Sequence, residues 1–277
     1  MGHPVEHSRS AQLFEAQAAR GGVPVDYELI DTPASQLHPT LERLRAGVWD
    51  GVNITVPHKA MAAHACDRLD AVAKASGAVN VVRREPDGSL SGFNTDAAGF
   101  LDALASHGPR AHAALRSGAS VLMVGDGGAA RGICSALAAF GVQIMVLSRL
   151  PARAATQFVP GLAARCCDYG DPAVVAHLAT TVLIVQATSL GMQPNLDASP
   201  LLPWSSVNQQ HCVVDLIYSP WFTRFMEHAH ERGAFTLNGW PMLVHQAARA
   251  LEIWAGPGTG PRLIAAAEAL EARSPSL

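Results

Sequence analysis

Aromatic residues and charge are both scarce in this chain: of 277 residues, 6% are aromatic and 16% are Asp, Glu, Lys or Arg, with a formal net charge of −3. No block of like charges stands along it, which argues against the basic stripe of a nucleic-acid binder and the polybasic face that seeks an anionic membrane. Cysteine is rare and odd in number. The five residues Cys66, Cys134, Cys166, Cys167 and Cys212 show no C-x-x-C spacing, so neither a disulfide framework nor a zinc site is indicated. No run approaches the roughly 18 consecutive apolar residues a membrane span needs, and the polar, histidine-bearing N-terminus is unlike a signal peptide. The expectation is a cytoplasmic protein, monomer or homodimer, with a small-molecule substrate and without metal, membrane or nucleic-acid partner.

Hydrophobic residues, by contrast, make up 49% of the chain, which suits an α/β globule with buried strands. The length exceeds one ordinary domain of roughly 100 to 200 residues, so two domains sharing a cleft are expected. Helical propensity over residues 11–20 precedes strand-like alternation over Val25 to Ile30; a second helix covers Leu37 to Ala46. Gly51 to Val56 reads as a buried strand closed by Pro57, with a helix from His58 to Arg68. Gly77 to Arg83 and Leu90 to Phe93 flank the turn signal Pro86-Asp87-Gly88. From Ser120 a βαβ unit opens with strand Ser120 to Val124, helix Ala129 to Phe140 and strand Gln143 to Leu147. Val182 to Val185 and Cys212 to Asp215 are later strands, each meeting a polar residue at its carboxyl end, where parallel sheets open a cleft. Helices over Met242 to Ala255 and Arg262 to Ala272 close the chain.

Gly125-Asp126-Gly127-Gly128-Ala129-Ala130-Arg131 follows an apolar strand and opens a helix, the context that gives the G-x-G-x-x-G/A fingerprint its meaning. Gly125 permits the tight turn and Gly127 the close approach of a pyrophosphate; Gly128 and Ala129 begin the helix whose N-terminus faces the anion, and small Ala130 lets it pack on the sheet. An unliganded strand-to-helix turn is the plainer alternative. At the end of the next strand an acidic residue would bond the ribose 2′-hydroxyl, whereas arginine accommodates a 2′-phosphate. Here Ser148-Arg149-Leu150-Pro151-Ala152-Arg153 offers Arg149 and Arg153, which favours NADP and leaves NAD open. Asp126 cuts the other way, because a carboxylate in this loop repels the pyrophosphate unless its side chain turns outward.

Polar residues also interrupt the first hundred: Ser8 and Ser10, Asn53 and Thr55 in an apolar strand, Lys59, Asn80, and Asn94-Thr95-Asp96. Singly they have ordinary uses, Thr55 and Asn80 as strand ends, Lys59 as a solvated lysine, Asp96 as a helix N-cap. Together they resemble the shikimate dehydrogenase family. The resemblance runs through Gly2-His3-Pro4 with His7-Ser8-Arg9-Ser10, Asn53-Ile54-Thr55-Val56-Pro57-His58-Lys59, Gly77-Ala78-Val79-Asn80 and Gly92-Phe93-Asn94-Thr95-Asp96. It continues through the glycine loop, Ala187-Thr188-Ser189-Leu190-Gly191-Met192, Asp215-Leu216-Ile217-Tyr218-Ser219-Pro220, and Gly239-Trp240-Pro241-Met242-Leu243-Val244-His245-Gln246.

The resemblance implies two α/β domains: residues 1–95, with a mainly parallel sheet and completed by helices over 240–277, to hold substrate, and a Rossmann-like domain over 96–239. It implies a coupled catalytic pair, Lys59 and Asp96, with Ser8, Ser10, Thr55, Asn80, Tyr218 and Gln246 around a ring acid. For the cofactor it implies Gly125, Gly127, Gly128, Ala129, Arg149, Arg153, Thr188, Gly239 and Met242. The reaction implied is reversible NADP-dependent reduction of 3-dehydroshikimate to shikimate in aromatic amino acid biosynthesis. Several departures point to a divergent paralogue. Family members carry a strand ahead of G-x-P, yet Met1 adjoins Gly2, so a central strand is expected to be missing, through loss or a misassigned start, and its neighbours short of backbone partners. Ala11-Gln12-Leu13-Phe14-Glu15 follows Ser10 where the family has P-x-x-H-N, Gln186 replaces an asparagine and Leu150 a threonine. Retained Ser10 favours shikimate over quinate. An NAD- or quinate-using paralogue and a catalytically idle dinucleotide sensor are the alternatives.

Overall fold

The computed structural model describes residues 1–6, 8–158 and 164–271; His7 of the serine motif and Ala272 lie outside them. The chain divides into two compact units, Met1–Gly99 with Leu243–Leu277, and Phe100–Met242. Both division points fall inside helices, a turn beyond the boundaries expected at 95/96 and 239/240.

In the first unit helix α1 (Ser10–Ala19) is followed by an extended segment, then α2 (Leu37–Arg45), β1 (Gly51–Asn53) and α3 (Lys59–Ala65). Next come β2 (Arg68–Leu69), α4 (Ala71–Ser76), β3 (Val81–Arg84), β4 (Leu90–Phe93) and α5 (Asp96–His107), which carries the chain onward. The strands form a sheet in the order β1-β3-β4-β2. β3 runs antiparallel to both β1 and β4, as the turn at Pro86-Asp87-Gly88 requires, and β2 joins β4 in parallel. The helix expected from His58 to Arg68 stops at Ala65, because the chain must extend to pair Arg68 and Leu69 with Ser91 and Gly92.

The strand expected over Val25 to Ile30 does not form. Among the described residues this stretch lies in no ladder; the neighbouring pairing is the single parallel bridge from Gly2 to Asp31, with Thr32 N–H donating to the Gly2 carbonyl. On their other side Met1 and His3 pair with Asn53, Thr55 and Val56, so residues 1–3 act as the end of a strand between two extended segments. Beyond their reach residues 25–30 form no strand among the described residues and are held by side chains: the Tyr27 hydroxyl donates to Asn53 Oδ1, Trp49 Nε1 to Glu28, and Phe14 stacks on Tyr27 at 4.5 Å between ring centroids.

The second unit contains α6 (Pro109–Leu115), β5 (Ser120–Val124), α7 (Gly128–Ala138), β6 (Gln143–Leu147), α8 (Pro151–Gln157), β7 (Ala164–Cys167), α9 (Ala173–Leu178) and β8 (Thr181–Gln186). It ends with β9 (Cys212–Asp215), α10 (Arg224–Glu231) and β10 (Phe235–Leu237). All pairings are parallel, in the order β10-β9-β8-β5-β6-β7, the strand order of a doubly wound dinucleotide-binding sheet. Alternation along the strands makes two cores. Val121, Met123, Ile144, Val146, Leu183 and Val185 pack against α5, α6 and α7, while Leu122, Val124, Met145, Leu147 and Ile184 pack against α9 and α10.

Helix α11 (Trp240–Ala255) begins in this unit and passes into the first, followed there by α12 (Gly260–Glu271). Trp254 of α11 donates from Nε1 to the Val82 carbonyl and lies where a Cβ on Gly51 would stand, so the strand needs glycine to let the helix seat. Arg262 of α12 bonds the Gly21 carbonyl after α1. The C-terminal helices thus complete the first unit.

Candidate active site

Strands β1 and β4 end, and β3 begins, at one end of the first sheet. Asn80 is stitched between them: Ile54 N–H donates to its carbonyl at 2.8 Å and its own N–H donates to the Phe93 carbonyl at 3.0 Å. Val79 N–H donates to the Lys59 carbonyl at 2.9 Å, which ties the start of α3 to the same spot. Lys59 and Asp96, the first residues of α3 and α5, are thereby brought together although 37 positions separate them.

Their ion pair is short and largely buried: Lys59 Nζ lies 2.6 Å from Asp96 Oδ2, with the side chains 17% and 7% exposed. The Asn80 amide faces three acceptors, Asp96 Oδ1 at 2.9 Å, Thr95 Oγ1 at 2.9 Å and Gln246 Oε1 at 3.1 Å. With two hydrogens to give, it cannot serve all three fully at once, which leaves Gln246 or Thr95 available to an incoming hydroxyl. Asn80 Oδ1 accepts from Thr95 N–H, and the Thr95 hydroxyl donates to the Gln246 carbonyl. Gly99 permits this approach, since a Cβ there would stand 2.6 Å from the Gln246 nitrogen. Lys59 gives one of its three ammonium hydrogens to Asp96 and points the chemistry of a proton donor, or once neutral an acceptor, at this network.

Ser8 and Ser10 stand at the start of α1, Ser8 Oγ donating to Ser10 Oγ at 3.2 Å, with Ser10 buried. Thr55 follows β1, its backbone N–H bonded to Met1 and its side chain exposed. No hydrogen bond joins these three to the Lys59 cluster among the described residues, so the structure groups Lys59, Asn80, Asp96 and Gln246 directly and leaves the hydroxyls as separate points.

In the second unit Gly125 adopts φ +107°, a backbone region that favours glycine, and a Cβ there would come within 2.9 Å of Thr188 Cγ2. Gly127 is the N-cap of α7, and a Cβ on it would meet nothing within 4 Å. No side-chain hydrogen bond caps this helix, so the first turn that begins with Gly128 and Ala129 has no side-chain acceptor at its cap position. An uncapped helix start behind an open glycine fits a dinucleotide pyrophosphate. Thr188 is held in turn by Gln186, whose side chain accepts from Thr188 N–H and donates to the Leu190 carbonyl and Asp215 Oδ1. The glutamine thus folds the loop after β8 against the end of β9.

Asp126 turns outward. Its Oδ2 accepts from Ser148 Oγ at 3.0 Å and lies 3.9 Å from Arg153 NH2, while its carbonyl accepts from Arg131 NH1 at 3.1 Å. Arg149 and Arg153 are exposed. Burial lowers the affinity of the Arg131 guanidinium for its proton, with Asp126 opposing and Arg153 adding to the effect. Gly239 has a different setting: a Cβ on it would collide with the Leu216 carbonyl, and its N–H bonds Ile217, so it seats the entry to α11 against the loop bearing half-buried Tyr218. Met242 packs on the core beside Leu237. Neither touches the glycine loop in any described hydrogen bond. No group of three His, Cys, Asp or Glu residues able to hold a metal occurs among the described residues, and none of their helices is long and apolar enough to cross a membrane.

Residues 1–82 match the family model for the shikimate dehydrogenase substrate binding domain. A curated shikimate dehydrogenase (NADP(+)) of Methylobacterium radiotolerans is 38% identical over 264 residues, covering 93% of this chain and 90% of its own. This chain belongs to the shikimate dehydrogenase family. Among solved family structures, shikimate 5-dehydrogenase from Thermus thermophilus, in complex with NADP(H) and shikimate, superposes with a TM-score of 0.82 at 34% identity, covering 97% of each chain. Quinate dehydrogenase from Corynebacterium glutamicum in complex with NAD gives a TM-score of 0.80 at 26% identity, covering 97% of this chain and 96% of its own. In this family member Ser148, Thr95 and Arg131 stand within the sequence motifs, but the sequence alone assigned none of them a role in the site. A hydroxyl directly before the arginine at the end of the second strand was the available signal for the first of these.

Proposed function

We propose that the protein is an NADP-dependent shikimate dehydrogenase, reversibly reducing 3-dehydroshikimate to shikimate in the cytoplasm, with Lys59 and Asp96 as its acid-base pair. The observation that carries this reading is the buried 2.6 Å pair of Lys59 and Asp96, held by Asn80, whose amide also reaches Gln246, in a setting where a fold needs no charge. When bound, the reduced nicotinamide supplies the hydride. Lys59 donates its proton to the oxygen that becomes alkoxide, polarising the carbonyl beforehand; in the oxidative direction the neutral amine takes the proton back. Asp96 fixes the ammonium and accepts a hydrogen bond from the adjacent ring hydroxyl, while Asn80 holds the second carboxylate oxygen. Ser8 and Ser10 bind the ring carboxylate, and Thr55, Asn80, Tyr218 and Gln246 the hydroxyls. The glycine loop with Ala129 holds the pyrophosphate, Arg149 and Arg153 the 2′-phosphate, and Thr188, Gly239 and Met242 the nicotinamide half.

Assaying shikimate and quinate oxidation separately with NADP and NAD tests this. Highest kcat/KM is expected for shikimate with NADP; a folded protein that turns over none of the four pairs would leave only a binding role. A second reading, use of NAD, is favoured by the carboxylate of Asp126 beside Ser148.

A further inference from the structure

We infer that Asp126 is a specificity-determining residue of the cofactor site: its carboxylate accepts the ribose 2′-hydroxyl of NAD and opposes the 2′-phosphate of NADP, narrowing the preference that the arginines create. The inference rests on the cofactor site proposed above and assigns a role to the variable residue of the G-x-G frame.

Three observations place the carboxylate. Asp126 leaves the glycine loop at the carboxyl end of β5, but its side chain reaches sideways to the carboxyl end of β6, the position from which a doubly wound sheet reads the ribose 2′ group. Ser148 holds it there. The Ser148 hydroxyl accepts from Leu150 N–H at 3.0 Å and donates its only proton to Asp126 Oδ2, so neither partner is free to drift. Finally, Arg153 approaches the same oxygen at 3.9 Å with its side chain 62% exposed, a loose pairing that leaves the guanidinium able to swing to another anion. Arg149, exposed at the end of β6, is the second cation.

The two cofactors meet different chemistry here. A 2′-hydroxyl has a proton to give, and the carboxylate has free lone pairs on Oδ1. A 2′-phosphate brings two further negative charges and no proton to share, so it gains the arginines and meets Asp126 as a like charge. Arginine attraction and carboxylate repulsion therefore act in opposite directions on one selectivity ratio.

The test uses the full chain and its Asp126→Ala and Asp126→Asn variants; the latter keeps an acceptor for Ser148 and removes only the charge. Calorimetric titration with adenosine 2′,5′-bisphosphate and adenosine 5′-phosphate reads the ratio without catalysis. Affinity for the bisphosphate relative to the monophosphate should rise about tenfold in both variants, the scale on which a single charge–charge interaction alters binding. An unchanged ratio in both variants overturns the inference. A rise in Asp126→Ala alone assigns the effect to side-chain volume and overturns it equally. Shikimate oxidation measured in parallel with each dinucleotide separates the two readings: absent turnover with a shifted binding ratio would sink the proposed reaction and leave Asp126 standing, whereas intact turnover with an unshifted ratio does the reverse.

Discussion

Lys59 and Asp96 illustrate why a charged pair inside a fold asks for an explanation. Two largely buried ions at 2.6 Å carry a desolvation cost that apolar residues of similar size would avoid, so stability alone does not account for them. Replacing Lys59 with Ala should lower kcat for shikimate oxidation by roughly 10²- to 10⁴-fold, the usual contribution of positioned acid-base groups, with a much smaller change in KM. Lys59→Arg should not restore the rate, because a guanidinium keeps the charge but cannot release its proton near neutral pH. Steady-state kinetics decide this, and full activity in the arginine variant would remove proton transfer from the role. Asn80 acts one step back. Asn80→Ala leaves Thr95 N–H and one carboxylate oxygen without partners in a buried place, so unfolding free energy should fall by about 2 to 3 kcal/mol in urea titration, together with turnover.

Among the elements, those with a strong period or a strong punctuation mark were legible. β5, α7, β6 and β9 are apolar runs framed by glycine or polar ends, and both terminal helices follow their 3.6-residue pattern. β7 escaped reading because Ala164-Arg165-Cys166-Cys167 lies at a sheet edge and is only partly buried, so it needs no apolar run; β10 sits at the opposite edge. Val25 to Ile30 misled for the opposite reason: alternation describes a surface, whereas a strand also needs a neighbour within hydrogen-bonding distance. The site divides similarly. Each motif could be found, but the hydrogen bond between Asn80 and Gln246 spans 166 positions, and no spacing rule reaches that far. The turn between β5 and α7 offers a test at this scale. Gly125→Ala puts a Cβ at φ +107° and 2.9 Å from Thr188, which should cost about 1 to 3 kcal/mol of stability and weaken dinucleotide binding at least tenfold by calorimetry. A variant that binds normally would show that the loop can relax and that the glycine is dispensable.

Across the molecule, buried carboxylates decide how stability follows pH, and Asp215 is the clearest case. It is fully buried at the end of β9, where it accepts from Thr223 Oγ1, Ile217 N–H and Gln186 Nε2. Burial still outweighs these bonds and pushes its carboxyl up from 3.8 to about 6. A raised acid binds its proton more tightly in the folded chain than in the unfolded one. The stability it contributes is therefore complete below pH 3.8 and lost as pH rises through about 6, after which the fold carries a buried anion. Asp215→Asn removes this titration while its amide can still bond Thr223, whose hydroxyl can turn to accept. Relative to the natural chain, the variant should gain on the order of 3 kcal/mol between about pH 4 and about pH 7, whatever constant offset the substitution brings. Urea unfolding of both proteins at half-unit pH steps measures that difference. Parallel curves would mean that the three hydrogen bonds offset burial and leave the Asp215 carboxyl titrating alike in the folded and unfolded chain, so that its ionisation costs the second unit no stability at neutral pH.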